Sequence, residues 1–274
     1  MKTELTTEVV TLTPQMAHEL LASNSNNRSL RMREVERYAR DIIAGNWQLT
    51  GEPIQVDWNG NLLNGQHRCN AVILANKPIQ VFIIRGLNPA SQAVIDVAVK
   101  RTAIDALRWA GFSGDLTILA KMARVDTLWR SGYKFTSSTT HGSYPALSHS
   151  EIVDWVSKNE AAFVSARFGQ QNASSLGFTP SILSFAHMIM CEVDELACDI
   201  FWSELIEMRT SGIGDPRLTM TRIMLSRRAD GIKLTDGVQL YYIMRAWNAW
   251  RSGQSLLKMP IVSNSKPIDV PQPE

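Results

Sequence analysis

The stretch Asn61-Leu62-Leu63-Asn64-Gly65-Gln66-His67-Arg68-Cys69-Asn70-Ala71-Val72 decides how the first third of the chain reads. An extended run with two leucines leads into a glycine, then two side chains able to carry positive charge, then apolar residues at helical spacing through Ala75. A glycine between a strand and a helix lets the backbone approach a ligand closely. The helix start adds a cluster of N–H groups and the positive end of the helix dipole, which together favour an anion. Arg68 offers a planar fork matched to phosphate oxygens, and His67 can donate to a phosphate or move a proton near neutral pH. The expected phosphate-binding set is therefore Gly65, Gln66, His67 and Arg68. The plain alternative is that Arg68 pairs with a structural carboxylate and His67 satisfies a loop carbonyl.

Outward from this stretch, Pro53 to Asp57 alternates as a strand, and Asn59-Gly60 is a strong hairpin signal that returns the chain through Asn61–Asn64. Upstream, Thr13-Pro14 predicts a helix start, and Ser23–Asn27 a polar turn that ends it. A second helix over 31–44 follows from the spacing of Val35, Tyr38, Ala39, Ile42 and Ile43, with Gly45 closing it. Downstream, Val81–Ile84 reads as a short buried strand, Asn88-Pro89 opens a helix over 89–98, and Thr102 with Asp105 forms a capping box for a helix ending at Gly111. The pattern turns helical near residue 103, with helices expected at about 115–131, 149–165, 180–209, 216–228 and 234–252. Thr136–Tyr144 reads as a flexible loop. The expected fold is α+β: a small mixed sheet with flanking helices over 1–110, a mainly helical region over 111–259, and a flexible tail over 260–274 that holds four prolines.

At 274 residues the chain can bury one large core or two small ones. A net charge of +2 is too balanced for a strongly basic nucleic-acid binder as a whole, and leaves only a local basic patch open. The three cysteines Cys69, Cys191 and Cys198 form no CxxC pair, and the start MKTELTTEVV has no apolar signal core. Both point to reduced thiols and a cytoplasmic location. No apolar run approaches the ~20 residues of a membrane span. Cys191 and Cys198 lie seven apart, on one face of a helix, and read as small core residues. The histidines show no HExxH or comparable spacing, so no metal site is expected.

The order helix, Gly-Asn-Trp turn, Glu-Pro-Ile strand, Asn-Gly hairpin, Gly-Gln-His-Arg and helix resembles the ParB/sulfiredoxin superfamily. ParB-type members carry a Gly-Glu-Arg-Arg box here, sulfiredoxins Gly-Cys-His-Arg, and a group of phage and mobile-element proteins Asp-Gly-Gln-His-Arg. Asn64-Gly65-Gln66-His67-Arg68 is most similar to the last, as are GNWQLTGEPI, DVAVKRTAIDAL and GDPRLTMTRIML. The resemblance implies a nucleotide ligand, ATP or CTP with Mg2+. It places Arg28 within phosphate reach and Glu52 where related kinases use a carboxylate, as a base or a metal–water contact. Gln66 replaces the sulfiredoxin cysteine and Cys69 lies a turn further on, so sulfinic-acid repair is not expected. The Glu-Arg-Arg signature is missing too, so CTP selectivity and a sliding clamp do not carry over.

Two further clusters complete the candidates. Asp96, Lys100, Arg101 and Thr102 join a helix end to a helix start and can hold a second phosphate or a polynucleotide backbone. Glu52, His67 and Asp96 are the candidate catalytic groups. Arg222, Arg227 and Arg228, near Trp247 and Trp250, can contact DNA or RNA, with a solvated basic face and core tryptophans as the alternative. Two functions compete: a phosphotransferase or nucleotide hydrolase in the nucleic-acid metabolism of a phage or mobile element, with a ParB-like nuclease as its variant, and a non-catalytic DNA-binding or regulatory protein that uses the same pocket as a ligand switch. Homo-oligomerisation is open on this reading.

Overall fold

The computed structural model describes residues 4–24, 27, 29–94, 102–132, 147–262 and 268–274. The architecture is α+β, a four-stranded mixed sheet with flanking helices followed by a mainly helical region, as the sequence pattern predicts. Two compact units divide the chain: Met1–Thr102 with Pro145–Glu151, and Ala103–Tyr144 with Ile152–Glu274. No helix among the described residues is long and apolar enough to cross a membrane.

In the first unit the strands β1 (Thr6–Leu12), β2 (Ile54–Asp57), β3 (Leu62–Asn64) and β4 (Ile79–Leu87) lie in the order β1-β4-β2-β3. β4 pairs antiparallel with β1, Val10 opposite Val81, and parallel with β2, Ile54 opposite Ile83. Its apolar residues Ile79, Val81 and Ile83 point into the core at the two-residue period of a strand. β1 gives little strand signal because only Leu12 of its seven residues is buried. The β2–β3 hairpin turns at Asn59-Gly60, where Gly60 takes φ +88°. The buried Asp57 carboxylate clamps that turn, accepting from Asn59 N–H at 2.8 Å, Asn61 N–H at 2.8 Å and Asn61 Nδ2 at 3.0 Å.

The helices α1 (Pro14–Ala22), α2 (Met32–Ile43) and α3 (Gln66–Ala75) cover the sheet. Thr13 caps α1 by accepting from Met16 N–H, and Pro14 supplies its first position. Ala17 and Leu20 of α1, Val35, Ala39 and Ile42 of α2, and Cys69, Ala71 and Val72 of α3 meet Leu12, Ile54, Val56, Leu62 and Ile83 in one apolar core. Residues 147–151 fasten onto α2: Glu151 accepts from Arg40 Nε at 2.8 Å, and the hydroxyls of Ser148 and Ser150 each donate to Asp41 at 2.7 Å. A short 3-10 turn, Pro89–Val94, replaces the first part of the helix expected over 89–98, and the rest of that span lies outside the described residues. The loop expected over Thr136–Tyr144 also lies outside them.

The second unit contains α4 (Ala103–Trp109), α5 (Leu116–Arg130), most of α6 (His149–Lys158), α7 (Ala161–Leu176), α8 (Pro180–Val193), α9 (Glu195–Ile206), α10 (Pro216–Ala229) and α11 (Asp236–Arg251). Every residue of α8 from Ser181 to Met190 is buried, so it is the central helix. α7 meets it closely at Gly169, where an added Cβ would stand 2.5 Å from the Pro180 carbonyl oxygen and 2.8 Å from Ser184 N. Two spans that read as single helices are each split. One breaks between Lys158 and Ala161, with Asn159 Nδ2 donating to Trp155 O at 2.7 Å. The other breaks at Asp194, which leaves helical geometry and caps α9 by accepting from Ala197 N–H at 3.0 Å. In the terminal segment Ile268 is buried, and Trp247 Nε1 and Asn248 Nδ2 donate to the carbonyls of Glu274 and Gln272.

The charged centre of this unit is Arg217, 3% exposed, which donates to Asp215 through Nε at 3.0 Å and Nη2 at 2.8 Å, and to Glu204 at 2.8 Å. Burial works to raise the Asp215 carboxyl, but the guanidinium and the N–H groups of Arg217 and Ser211 outweigh it and hold the group at about 2. The unfolded chain, with an ordinary aspartate value of about 3.9, therefore takes up this proton first as pH falls. The stabilisation is complete above pH ~4 and lost between ~4 and ~2, on the order of 2 kcal/mol. Arg217→Met should cost about 3–5 kcal/mol near neutral pH by stranding the Asp215 charge. It should also flatten the stability profile between pH ~4 and ~2. Urea midpoints followed by tryptophan fluorescence across that range check both; parallel profiles for the two proteins would remove this ion pair as the acid-sensitive element.

Candidate functional site

Gly65 opens α3 in a backbone region that L side chains rarely adopt, at φ +114°. A Cβ there would stand 3.0 Å from Ile54 Cγ1, so the position needs glycine for both conformation and space. The side chains that follow reach in three directions. Gln66, buried, accepts from Asn24 Nδ2 at 3.2 Å. His67 Nε2 accepts from Arg31 N–H at 3.1 Å, which places the neutral ring's proton on Nδ1. Arg68 donates to two main-chain carbonyls, Glu52 O through Nη1 and Pro53 O through Nη2 at 2.8 Å. Asn27 completes the cluster by donating to Asn24 Oδ1 at 2.5 Å and Leu62 O at 2.6 Å.

Gly65, Gln66, His67, Arg68 and Glu52 are thus brought together in one region. It is the Glu52 carbonyl that Arg68 holds, and the Glu52 carboxylate is exposed on the same loop. Arg31 is the N-cap of α2, so the starts of α2 and α3 meet at His67. Asn24, Asn27 and Arg31 join the site from the connection between α1 and α2. The polar composition of that connection was the only trace of Asn24 and Arg31 in the sequence. Thr102 is exposed just before α4. Arg28, Asp96, Lys100 and Arg101 lie outside the described residues. Cys69 is fully buried in the core of this unit, and burial pushes its thiol up to about 12.

In the helical unit the three candidate arginines divide. Arg227 and Arg228 line a groove of about 550 Å³ together with Lys233, Gly177 and Thr179 at the start of α8; Arg222 is not among its walls. Six and five residues back along α10, Arg222 falls on another side of the helix. Arg228 also donates to Ser174 O at 2.8 Å. Trp247 is wholly buried and Trp250 packs on Arg217, with the guanidinium 5.3 Å from its ring centre. These tryptophans belong to the core alternative, and Arg217 is neutralised by its two carboxylates.

A further cluster was not legible in the sequence. The break at Asp194 folds the start of α9 back on α8, so Cys191 and Cys198 do not share a helix face; they meet across the two helices, beside His187. The donor atoms of His187, Cys191 and Cys198 all lie within 4.8 Å of one another. The neighbouring Cys198 thiol, and then His187, pull the Cys191 thiol down to about 6 despite partial burial. Cys198, beside the Cys191 sulfur and buried, with its Sγ 3.6 Å from the His187 carbonyl oxygen, is pushed well up. A pattern of His, Cys four residues on and Cys seven beyond that is a signal only to a reader who allows a helix break at Asp194.

Comparison with family models, with curated proteins and with solved structures finds no match to this chain. The geometry of Gly65 gives a direct check of the site's frame. Gly65→Ala should lower the stability of the first unit by about 1–3 kcal/mol through strain and overpacking on Ile54. Gly60→Ala carries φ +88° strain but meets nothing within 4 Å, so it should cost less. Chemical denaturation of both variants tests this; equal losses would mean that Ile54 yields without penalty.

Proposed function

We propose that the sheet-bearing unit is ParB/sulfiredoxin-like and binds a nucleoside triphosphate with its Mg2+ where α2 and α3 begin, for phosphoryl transfer or nucleotide hydrolysis. The observation that carries this reading is the meeting of two helix starts at His67, with the Arg31 N–H 3.1 Å from its Nε2. Two helix dipoles then direct their positive ends at one place, and the exposed Arg31 and Arg33 lie in or next to the first turn of α2. A polyphosphate carries several negative charges, which positive helix ends and guanidinium groups attract. Phosphoryl transfer asks mainly for positioning and charge stabilisation, which helix ends and guanidinium groups supply. Glu52, exposed on the loop that Arg68 holds, is the carboxylate available to orient an acceptor hydroxyl or a metal-bound water.

Arg68→Ala would confound binding with folding, because Arg68 holds two carbonyls of the frame. His67→Ala separates them better, since His67 is half-buried and accepts one backbone N–H. Calorimetry with ATP and CTP, with and without Mg2+, should show binding to the wild type and about tenfold weaker binding to His67→Ala, a loss of about 1.4 kcal/mol. Unchanged affinity in the variant, or no binding of either nucleotide to the wild type, would overturn the reading. Phosphate release on prolonged incubation distinguishes an enzyme from a ligand switch.

A second reading concerns the helical unit, where Arg227, Arg228 and Lys233 share one groove at the start of α8. Three cations around a helix start suit the phosphates of a polynucleotide. Replacing all three with Ala should weaken DNA or RNA binding with little sequence preference. For duplex DNA the logarithmic salt slope should fall by roughly 2–3, about one unit per lost phosphate contact. Arg222→Ala, outside the groove, should change little. Equal slopes for wild type and triple variant would make the groove a structural feature only.

A further inference from the structure

We propose that His187, Cys191 and Cys198 form a zinc-type metal site in the helical unit, independent of the nucleotide reading. The donor set is right for a borderline-soft d10 cation: one imidazole and two thiols. Tetrahedral zinc with Zn–N near ~2.0 Å and Zn–S near ~2.3 Å requires its donors about 3.5–3.8 Å apart. Cys191 Sγ lies 3.6 Å from His187 Nδ1 and 3.9 Å from Nε2, and all three donors fall within 4.8 Å. A contraction of a few tenths of an ångström to an ångström therefore closes the site.

The surroundings fit a metal as well as the donors do. His187 and Cys191 stand one turn apart on α8, and Cys198 sits in the first turns of α9. The break between them is fixed by Asp194, which caps α9 and takes Arg251 Nη1 at 2.5 Å. Ser165 Oγ lies 3.0 Å from His187 Nδ1; in the Nδ1–H tautomer it would accept that proton and leave Nε2, 3.9 Å from Cys191 Sγ, to the metal. Phe168 stacks on the same ring at 4.3 Å between centres and holds its plane. The Trp202 indole N–H is buried beside the Cys198 sulfur, acts on it, and closes no well-formed hydrogen bond among the described residues. Such a donor suits a thiolate at Cys198, whose sulfur accepts more strongly once a metal displaces the thiol proton. Two thiolates and a dication sum to zero charge, so the buried complex carries no net charge to desolvate. His187 and Cys198 are buried and Cys191 is half-buried, which leaves the Cys191 side as the approach for the ion and for a fourth ligand from solvent.

The test uses the full chain, reduced, stripped with chelator and titrated without oxygen. One equivalent of Co2+ should produce thiolate-to-cobalt charge-transfer absorption with tetrahedral d–d bands, and one equivalent of Zn2+ should bleach both. Cys191→Ser and Cys198→Ser should each lose a large part of the charge-transfer band. Ser165→Ala should weaken zinc roughly tenfold to hundredfold, as loss of a partner behind a ligating histidine does. Cys69→Ala, in the other unit, should leave the spectrum unchanged. Zn2+ should raise the melting temperature of the wild type and not that of Cys191→Ser, a comparison that holds even if Cys198→Ser folds poorly. A wild type with no charge-transfer band, a band that survives Cys198→Ser, or ready formation of a Cys191–Cys198 disulfide in protein that takes no metal would each overturn the site.

Discussion

The carbonyls of Glu52 and Pro53 stand just ahead of β2, and the guanidinium of Arg68 takes both. A planar fork suits this task because two donors leave it in parallel, and charge-assisted bonds to carbonyls are stronger than neutral ones. The fork is aimed by α3, and α3 is aimed by Gly65, whose turn leaves no room for a side chain against Ile54. Asn24, Asn27 and Gln66 extend the same frame to the connection between α1 and α2, and His67 takes the N–H of Arg31, the N-cap of α2. One tetrapeptide therefore joins the sheet, two helices and two loops. Phosphate chemistry at this place would be built on groups that already fix the backbone, so preorganisation and folding are the same property here.

The helical unit rests on a different constraint, the burial of α8 on all sides. Neighbours surround α8, and Gly169 of α7 lets one of them approach at short range. α8 cannot continue into the span read as α9, because Asp194 takes an extended backbone and turns its carboxylate on Ala197 N–H. That break has a chemical consequence. It turns two cysteines seven residues apart into a pair facing each other across a helix junction, with His187 beside them.

The α+β order was legible because its signals are local: an Asn-Gly turn, a Thr-Pro helix start, and periods of two and of about 3.6 residues. β1 was hidden because an edge strand with one buried residue shows no alternation. Helix breaks at Asn159 and Asp194 were hidden because the apolar period continues across them, and an acidic or amide cap reads the same inside a helix as at its start. Gly65, His67 and Arg68 stood out through residue type and order. Their partners did not, since a main-chain carbonyl or N–H leaves no mark in a sequence. Arg227 and Arg228 separate from Arg222 only when the walls of the groove are known.

The three cysteines show how far environment outweighs residue type. Cys69 sits in the apolar core, and burial raises it to about 12 against the pull of the Arg68 charge and a backbone N–H. Cys191 is also partly buried, yet a neighbouring thiol and an imidazole bring it to about 6. The desolvation that both share works in the same direction, so the difference lies in donors and not in depth. Donors that stabilise a thiolate are the same groups that orient a thiolate toward a metal or compete with one for it. Cys69, just after the Gly65–Arg68 stretch, is the thiol pushed up by its surroundings, and the pair at the α8–α9 junction holds the one pulled down.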